Sequence, residues 1–381
     1  MSLERSTEQR LLADAATRWI ADAEDLSADA RWRAIAGFGW LAMLVPEADG
    51  GLGQDLADAC ALAEALGAGP ARDPWLPVAV QAAGLLAACT DAALRARWLP
   101  ALAEGAVRIV PASHERGGRG RSRPDSTRAR READGWVLDG IERTVPGGDG
   151  ADAWLVGAST GDGGLAVFVL TPGLPGLRAT PLETVDGGRG CRLDIEGVRL
   201  GDDARLAGVG AAESARVDDH ALVVACAESV GSMDTLLRET VAYLRTRVQF
   251  GRPLAMNQAL RHRVADLAIA VEEARSSALA AVLALQDAAR AGDARAHARA
   301  AAGARAKVGS VARRVAEEAI QLHGGMGVTD ELRIARHLKR QLALDAMLGA
   351  PDWHLRRHAT LRTAPMTAPI AAPTAATETM R

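Results

Sequence analysis

The sequence has few of the residues that mark metal, redox or nucleic-acid-binding proteins. Its four cysteines, Cys60, Cys89, Cys191 and Cys226, are widely scattered, and no CxxC pair or cysteine–histidine spacing typical of a metal site occurs. We therefore expect small buried cysteines in a reducing compartment, and we predict no metal site. The formal net charge is −3, so a nucleic-acid-binding role has no support.

Long apolar runs and targeting signals are also missing. No uninterrupted apolar stretch approaches the roughly 20 residues that a membrane-spanning helix needs. Residues 1–10 are polar and mixed in charge, unlike a secretory signal or a transit peptide. Lysine occurs only at positions 307 and 339, which we attribute to a GC-rich genome. We expect a cytoplasmic protein without a membrane span, and its 381 residues suffice for two or three domains.

Hydrophobic periodicity divides the chain into three parts and a tail. Residues 1–108 repeat apolar side chains at helical spacing, which predicts an N-terminal helical domain. Residues 109–205 hold short strand-like runs separated by glycine and aspartate turns, which predicts a middle antiparallel β domain. Residues 206–360 return to long helices joined by short links, which predicts a C-terminal four-helix bundle. Residues 361–381 are rich in proline, alanine and threonine and are predicted to be disordered.

The stretch 243–258 interrupts the helices of the third part. Helix-forming residues lead up to Arg247, and a glycine and a proline then break the helix before another can begin. The corner brings together a guanidinium, an amide and an aromatic face at Arg247, Gln249 and Phe250. Such a set suits a flat cofactor that bears phosphate. The alternative from spacing alone is a helix hairpin with a capping arginine.

Three collinear segments resemble the acyl-CoA dehydrogenase family. The run Arg247-x-Gln-Phe-Gly-x-Pro-Leu, followed by Gln258, is similar to the family's signature. The run Gln321-Leu-His-Gly-Gly-Met-Gly327 is similar to its Gln-x-x-Gly-Gly-x-Gly element, and residues 45–53 are similar to an N-terminal motif. The resemblance extends, in order, over about residues 5–360.

This resemblance implies a fold, a cofactor and a set of binding residues. The expected fold is acyl-CoA dehydrogenase-like, with FAD between the β domain and the bundle and a tetramer built by the bundles. The residues implied to contact the FAD of a neighbouring subunit, around its pyrophosphate and adenosine, are Arg247, Gln249, Phe250, Gln258, Gln321, Gly324 and Gly325. Two adjacent glycines at a helix end also let a ligand reach backbone amides, although a simple helix cap explains them equally well.

The middle region departs from the family pattern. Where the family has a loop that holds flavin and substrate, this chain has an arginine-rich run, 114–122, in which only the acid at Glu115 and some glycines match. Where the family has an aromatic residue that packs on the flavin, this chain has Val145, which cannot stack. These differences argue against FAD binding by the chain's own β domain.

The chain also departs from the family pattern at the catalytic base. Removal of the α-proton needs a carboxylate within hydrogen-bond reach. Leu348 occupies the position of the usual glutamate, and the alternative position in the family falls near Ala221. Nearby ionisable residues are His220, which we interpret as a surface or capping residue, and Asp345, interpreted as a helix-surface acid. The catalytic residue is thus unknown, and Glu228 and His323 have no partner visible in the sequence.

Residues 324–354 resemble the small subunit of pimeloyl-CoA dehydrogenase and of similar heteromeric members. This implies FAD-dependent α,β-dehydrogenation of an acyl-CoA thioester by a subunit that lacks its own glutamate and assembles with an acyl-CoA dehydrogenase-like partner. Electron-transfer flavoprotein or a similar protein would be the acceptor. Two alternatives stay open: an autonomous flavoenzyme with an unusual base or a different reaction, such as an oxidase or monooxygenase, and a non-catalytic structural paralogue.

Overall fold

The structure is a computed structural model, and it contains the three regions in the expected order. The predicted fold is confirmed: helices come first, a β-sheet follows, and a second set of helices ends the chain. Glu115 lies outside the described residues, as do the residues after 363. The residues that the structure describes are 5–23, 25–69, 73–112, 127–329 and 331–363.

The N-terminal region packs its helices around a largely apolar core. Helix α3 (Leu56–Leu66) is mostly buried, and the carboxylate of its N-cap residue Asp55 accepts hydrogen bonds from the backbone N–H groups of Ala57 (2.7 Å) and Asp58 (3.1 Å). A π-helical turn, Leu76–Ala82, runs directly into α4. The five α-helices are α1 (Thr7–Ala23), α2 (Ala28–Gly37), α3 (Leu56–Leu66), α4 (Ala83–Ala87) and α5 (Ala92–Ala103).

The middle region forms a seven-stranded sheet in the order β1-β4-β2-β3-β7-β6, with β5 also paired to β4. The sheet is mixed rather than purely antiparallel, because β4 runs parallel to β1 and to β2. Those two strands reach β4 through long connections, whereas tight turns enforce antiparallel pairing. The strands are β1 (Ile109–Ala112), β2 (Arg128–Glu132), β3 (Gly135–Pro146), β4 (Ala153–Thr160), β5 (Leu165–Leu170), β6 (Leu177–Glu183) and β7 (Arg189–Leu200).

The C-terminal region contains the four predicted long helices and one more. The extra helix packs on α8, and its residue Leu361 is buried, with a carbonyl that accepts a hydrogen bond from Arg295 Nε (2.9 Å). Residues 361–363 are therefore helical, which corrects the predicted start of the disordered tail. The helices are α6 (Ala211–Thr246), α7 (Gln258–Ala291), α8 (Ala294–His323), α9 (Ile334–Leu348) and α10 (Pro351–Thr363).

Helix α6 lies at the centre of the fold, where it contacts α3, α7, α8 and α9. Its contact with α3 is a direct approach of two backbones. A Cβ atom on Gly67 would lie 2.0 Å from the carbonyl oxygen of Glu228, and one on Gly231 would lie 1.8 Å from that of Glu64. Any side chain at either glycine would force the helices apart.

A buried arginine joins α9, α6 and the turn between β6 and β7. Arg340 donates two hydrogen bonds to the carboxylate of Glu228 (2.6 and 3.2 Å) and one to that of Asp186 (2.9 Å). The three side chains are at most 13% exposed. Burial alone would raise the pKa of Asp186, but the Arg340 guanidinium outweighs it, and the pKa lies below its ordinary value. Glu228 thus has partners that its sequence neighbours do not reveal.

Two neutral polar pairs lie beside this cluster in the α6–α9 contact. Ser229 Oγ donates to Gln341 Oε1 at 2.8 Å, and Ser232 Oγ lies 2.8 Å from His337 Nδ1. His337 is 1% exposed, and burial lowers its pKa to about 4. The ring is therefore neutral in the folded protein at neutral pH.

Replacing Arg340 by methionine should strongly destabilise the fold. The variant would leave two carboxylates buried without a counter-charge, which costs about 3–5 kcal/mol of unfolding free energy. Urea unfolding of the purified chain measures this loss. The matched control is Arg313→Met, which removes an exposed pair with Glu317 and should cost about 0–1 kcal/mol. Equal losses in the two variants would contradict an important role for the buried cluster.

Acid should destabilise the protein between pH about 6.5 and about 4 through its buried histidines. The unfolded chain binds a proton at His337 below pH about 6.5, but the folded chain does not until about pH 4, so unfolding free energy falls with falling pH. The expected loss is on the order of 3 kcal/mol for this residue. His337→Gln should flatten the pH dependence of unfolding, whereas His262→Gln on the exposed surface should not. An unchanged slope in the first variant would refute this assignment.

Candidate cofactor-binding site

The predicted corner is a small β-hairpin at the end of α6. Helix α6 ends where the N–H of Arg247 donates to the Tyr243 carbonyl (2.8 Å), and strands β8 (Val248–Gln249) and β9 (Arg252–Pro253) follow. The turn residues Phe250 and Gly251 both have left-handed backbones, with φ of 54° and 77°. Two positive φ values are the requirement of a type I′ hairpin, and glycine satisfies it without strain.

The three corner side chains are open to solvent. Phe250 is 99% exposed, and Arg247 and Gln249 are exposed as well. Among the described residues, no group pairs with the guanidinium of Arg247. The Gln249 amide donates to the neighbouring carbonyl of Val248 at 2.8 Å. A cation, an amide and an aromatic face thus remain available to a ligand.

The second predicted element is a glycine turn at the end of α8. Gly324 follows His323 with φ 62° and ψ −142°, a backbone conformation that essentially only glycine adopts. A Cβ atom on Gly324 or Gly325 would meet nothing within 4 Å, so the turn borders open space. Gln321, on the last turn of α8, is exposed. The glycine backbone is accordingly accessible to an external group.

The structure brings the hairpin and the glycine turn together. The rings of Tyr243 and His323 stack with centroids 4.4 Å apart and an interplanar angle of 28°. The Tyr243 hydroxyl also donates to the His323 carbonyl at 3.3 Å. Gln258, the remaining residue of the predicted set, is the exposed first residue of α7, which a 3-10 turn, Leu254–Met256, separates from the hairpin. The role of each residue in cofactor binding stays a prediction.

Three exposed apolar residues lie next to these motifs in the chain. Val248 is 53% exposed, Met256 is 61% exposed and Val328 is 67% exposed. Together with Phe250 they give this end of the bundle an apolar character that is typical of an interaction surface. Sequence analysis missed these three residues, although large apolar side chains at a helix break were a usable signal.

The residues present fit the adenosine and pyrophosphate of FAD. An unpaired guanidinium suits phosphate oxygens, the open glycine turn allows the same group to approach the backbone closely, and an exposed aromatic ring suits a flat heterocycle. All of them lie on the surface, so a ligand bound by them alone would keep much of its own surface in water. A second protein surface is needed to enclose it.

The described part of the β domain does not offer the expected flavin contact. Val145 is completely buried and pairs with Cys191 across β3 and β7. Its side chain is therefore part of the core and unavailable to a ligand.

Both positions expected for a catalytic carboxylate are buried and apolar. Leu348 is 6% exposed and Ala221 is fully buried. The nearby acid Asp345 is not a helix-surface acid, as we expected from sequence, because it accepts a hydrogen bond at 2.5 Å from the fully buried Arg305. Burial raises the pKa of Asp345, and the arginine offsets only part of this effect.

The interpretation of His220 as a surface residue is also wrong. Burial lowers its pKa to about 4, and its ring centroid lies 5.3 Å from that of the buried His297. His297 lies 3.5 Å from Oδ2 of Asp219. The other carboxylate oxygen of Asp219, Oδ1, accepts a hydrogen bond from Arg357 at 2.6 Å. This buried cluster joins α6, α8 and α10 over up to 138 residues of sequence, so the chain order gave no signal for it.

The part of the chain that the structure describes lacks two further kinds of feature. No group of three histidine, cysteine or acidic side chains is placed to hold a metal ion. No helix in the described ranges is both long and apolar enough to cross a bilayer. All four cysteines are buried and unpaired, as predicted.

Comparison with known proteins places both helical regions in one family. Residues 2–106 match the family model for the acyl-CoA dehydrogenase N-terminal domain, and residues 208–360 match that for the acyl-CoA dehydrogenase C-terminal domain. The acyl-CoA dehydrogenase FadE27 of Mycobacterium tuberculosis is 30% identical over 333 residues, which cover 86% of each chain.

Solved structures agree with this result. A chain of the ChsE4-ChsE5 complex from Mycobacterium tuberculosis matches with a TM-score of 0.85 and 26% identity, over 96% of this chain and 100% of that one. A chain of the Tcur3481-Tcur3483 steroid ACAD, in a variant form, matches with a TM-score of 0.79 and 30% identity, over 93% and 95%. The present chain belongs to the acyl-CoA dehydrogenase family of oxidoreductases.

Proposed function

We propose that this chain is a subunit of a heteromeric, FAD-dependent acyl-CoA dehydrogenase and that its partner supplies the catalytic carboxylate. The observation that carries the proposal is the apolar, buried state of Leu348 and Ala221, the two positions where the family places its base. The acids nearest to them in the chain, Asp345 and Asp219, are engaged in buried ion pairs. In each of them a carboxylate oxygen already accepts a hydrogen bond from an arginine, so that oxygen is not available to take a proton from a substrate.

The exposed hairpin and glycine turn support the second half of the proposal. They offer charge, amides and an aromatic face to a ligand that must approach from outside this subunit. A partner's FAD, with its adenosine and pyrophosphate at the subunit boundary, satisfies this requirement. The apolar residues beside the motifs would then be covered by the partner itself.

The partner's carboxylate and an FAD held between the two subunits would serve a single reaction. Dehydrogenation of an acyl-CoA thioester removes the α-proton and transfers the β-hydrogen as hydride, for which bound flavin provides the acceptor. In this chain Arg247 would neutralise phosphate charge, and Phe250 would cover the adenine and exclude water. The glycine turn would let the phosphates approach the backbone closely, and Gly325 would donate its N–H, since the N–H of Gly324 already donates to the Gln321 carbonyl. The proton would go to a carboxylate of the partner.

The names of two similar structures are consistent with assembly and with a class of substrate. The ChsE4-ChsE5 complex and the Tcur3481-Tcur3483 steroid ACAD each name two components, and the second also names its substrate class. We propose an acyl-CoA dehydrogenase-like partner for this chain, a steroid-derived acyl-CoA as the first substrate to assay, and electron-transfer flavoprotein as the acceptor.

The purified lone chain should show no flavin absorption band, and a band should appear when a cognate partner is co-expressed. The chain's own β domain lacks the aromatic contact, whereas its bundle corner is suited to a partner's cofactor. Visible absorption at a known protein concentration gives the FAD content of each sample. One FAD per lone chain would refute the heteromeric proposal and favour an autonomous flavoenzyme. No flavin in any combination would favour a structural paralogue.

Replacing Arg247 by glutamine should weaken FAD binding to the complex about tenfold or more. A charge-assisted contact to phosphate is lost, at about 1.5–3 kcal/mol. Equilibrium titration of the deflavinated complex with FAD measures the affinity. Arg245→Gln, two residues earlier and also exposed, is the control and should change little. The lone Arg247→Gln chain should unfold like the wild type, because no described group pairs with this side chain. An unchanged FAD affinity would exclude Arg247 from the site.

A further inference from the structure

Tyr243 contacts both motifs of the candidate site, through different groups. Its ring stacks on His323, and its hydroxyl donates to the carbonyl of the same residue, immediately before Gly324. Its own backbone carbonyl accepts the N–H of Arg247 (2.8 Å) and the hydroxyl of Thr246 (3.2 Å). One residue therefore touches the end of α8 and the start of the hairpin.

His323 is itself held in place on the other side of this contact. It is 5% exposed, and its Nδ1 lies 2.8 Å from the carbonyl oxygen of Ala319, one turn earlier in α8. Since a carbonyl only accepts, Nδ1 carries the proton and donates. This hydrogen bond fixes the plane of the imidazole, and hence the plane on which Tyr243 stacks.

We propose that Tyr243 is a positioning residue that holds the glycine turn and the arginine hairpin in a fixed relation, so that both can engage the dinucleotide part of a partner's FAD. The inference rests on the proposed function. It assigns Tyr243 and His323 no contact with the cofactor. Their effect would pass through Arg247 on one side and through Gly324 and Gly325 on the other.

Both elements need such a restraint. Glycines have more backbone freedom than other residues, and Gly324 and Gly325 border open space on the side where a Cβ would lie. The hairpin is only two residues per strand, and its turn residue Phe250 is almost fully exposed. The glycines begin a short 3-10 helix, Gly324–Val328, and any further ordering of these elements on binding would lower affinity, a loss that a contact already present reduces.

The contact could instead serve stability alone, and two measurements distinguish these roles. A purely structural contact would change the unfolding transition and leave FAD affinity as it is. A positioning contact would change FAD affinity by more than its effect on stability explains. The matched control is Leu236→Ala, which opens a cavity in the buried part of the same helix, two turns before Tyr243.

The affinity experiment uses the deflavinated complex with its partner and FAD as the probe. Tyr243→Phe keeps the stacked ring and removes one neutral hydrogen bond, so the FAD dissociation constant should rise about threefold to tenfold. Tyr243→Leu removes both contacts and should raise it about tenfold to hundredfold. Leu236→Ala should lower the unfolding temperature at least as much while leaving the dissociation constant within about twofold.

A spectroscopic experiment tests the contact directly, because Tyr243 is the single tyrosine of the chain. Incorporation of 3-fluorotyrosine gives one fluorine resonance from this subunit, and a partner without the label adds none. In the lone chain, His323→Leu should shift this resonance, since the stacked imidazole is removed. In the complex, addition of FAD should shift the fluorine resonance again, because FAD would bind to the hairpin and the glycine turn that Tyr243 connects.

The outcomes separate this inference from the proposed function. Wild-type complex that takes up FAD, with equal affinity in Tyr243→Leu, would overturn the positioning role and leave the proposed function standing. A fluorine resonance that does not respond to His323→Leu would overturn it as well. Wild-type complex that takes up no FAD would overturn the proposed function and the inference together, whatever the lone chain shows. Reduced affinity in both tyrosine variants, with the Leu236→Ala control unchanged, would support the inference.

Discussion

The direct contact between the backbones of α3 and α6 is the constraint on which the arrangement of the fold depends. With no side chain at Gly67 or Gly231, each helix reaches the carbonyl oxygens of the other, and the N-terminal region sits tightly against the bundle. Helix α6 then has only its remaining faces for α7, α8 and α9. Protein interiors are close-packed, so this one approach limits where every neighbouring helix can lie.

A central helix fixed in this way has two different kinds of polar chemistry along its 36 residues. In its buried middle, Glu228 is neutralised by Arg340, and Asp219 by Arg357. At its exposed end, Arg247 has no partner among the described residues. The buried charges are costly to disturb and contribute to a unique packing, whereas the exposed charge contributes little to stability. The exposed end of α6 can therefore vary without loss of the fold.

Sequence alone predicted the features that depend on local rules. Apolar periodicity gave the long helices, and Gly251 and the adjacent glycines at 324 and 325 marked the two breaks that form the candidate site. It did not predict features that depend on distant partners. Glu228 and Arg340 are 112 residues apart, and Asp345 looks like a surface acid until Arg305 is placed beside it. The parallel pairing of β4 likewise follows from chain routing rather than from strand composition.

Phe250 gives the strongest physical reason to regard the bundle corner as a binding surface. A non-glycine residue with φ of 54° is strained, and an aromatic ring that is 99% exposed gains nothing from burial. The hairpin turn requires the positive φ, but nothing in the described structure requires an aromatic ring there, and this favours the proposed role in binding. The interior shows the opposite pattern, because the positions suited to a catalytic acid are filled with Leu348 and Ala221 and are sealed. A subunit with a strained, exposed residue on its surface and no carboxylate at the expected catalytic positions is suited to completing the active site of another protein.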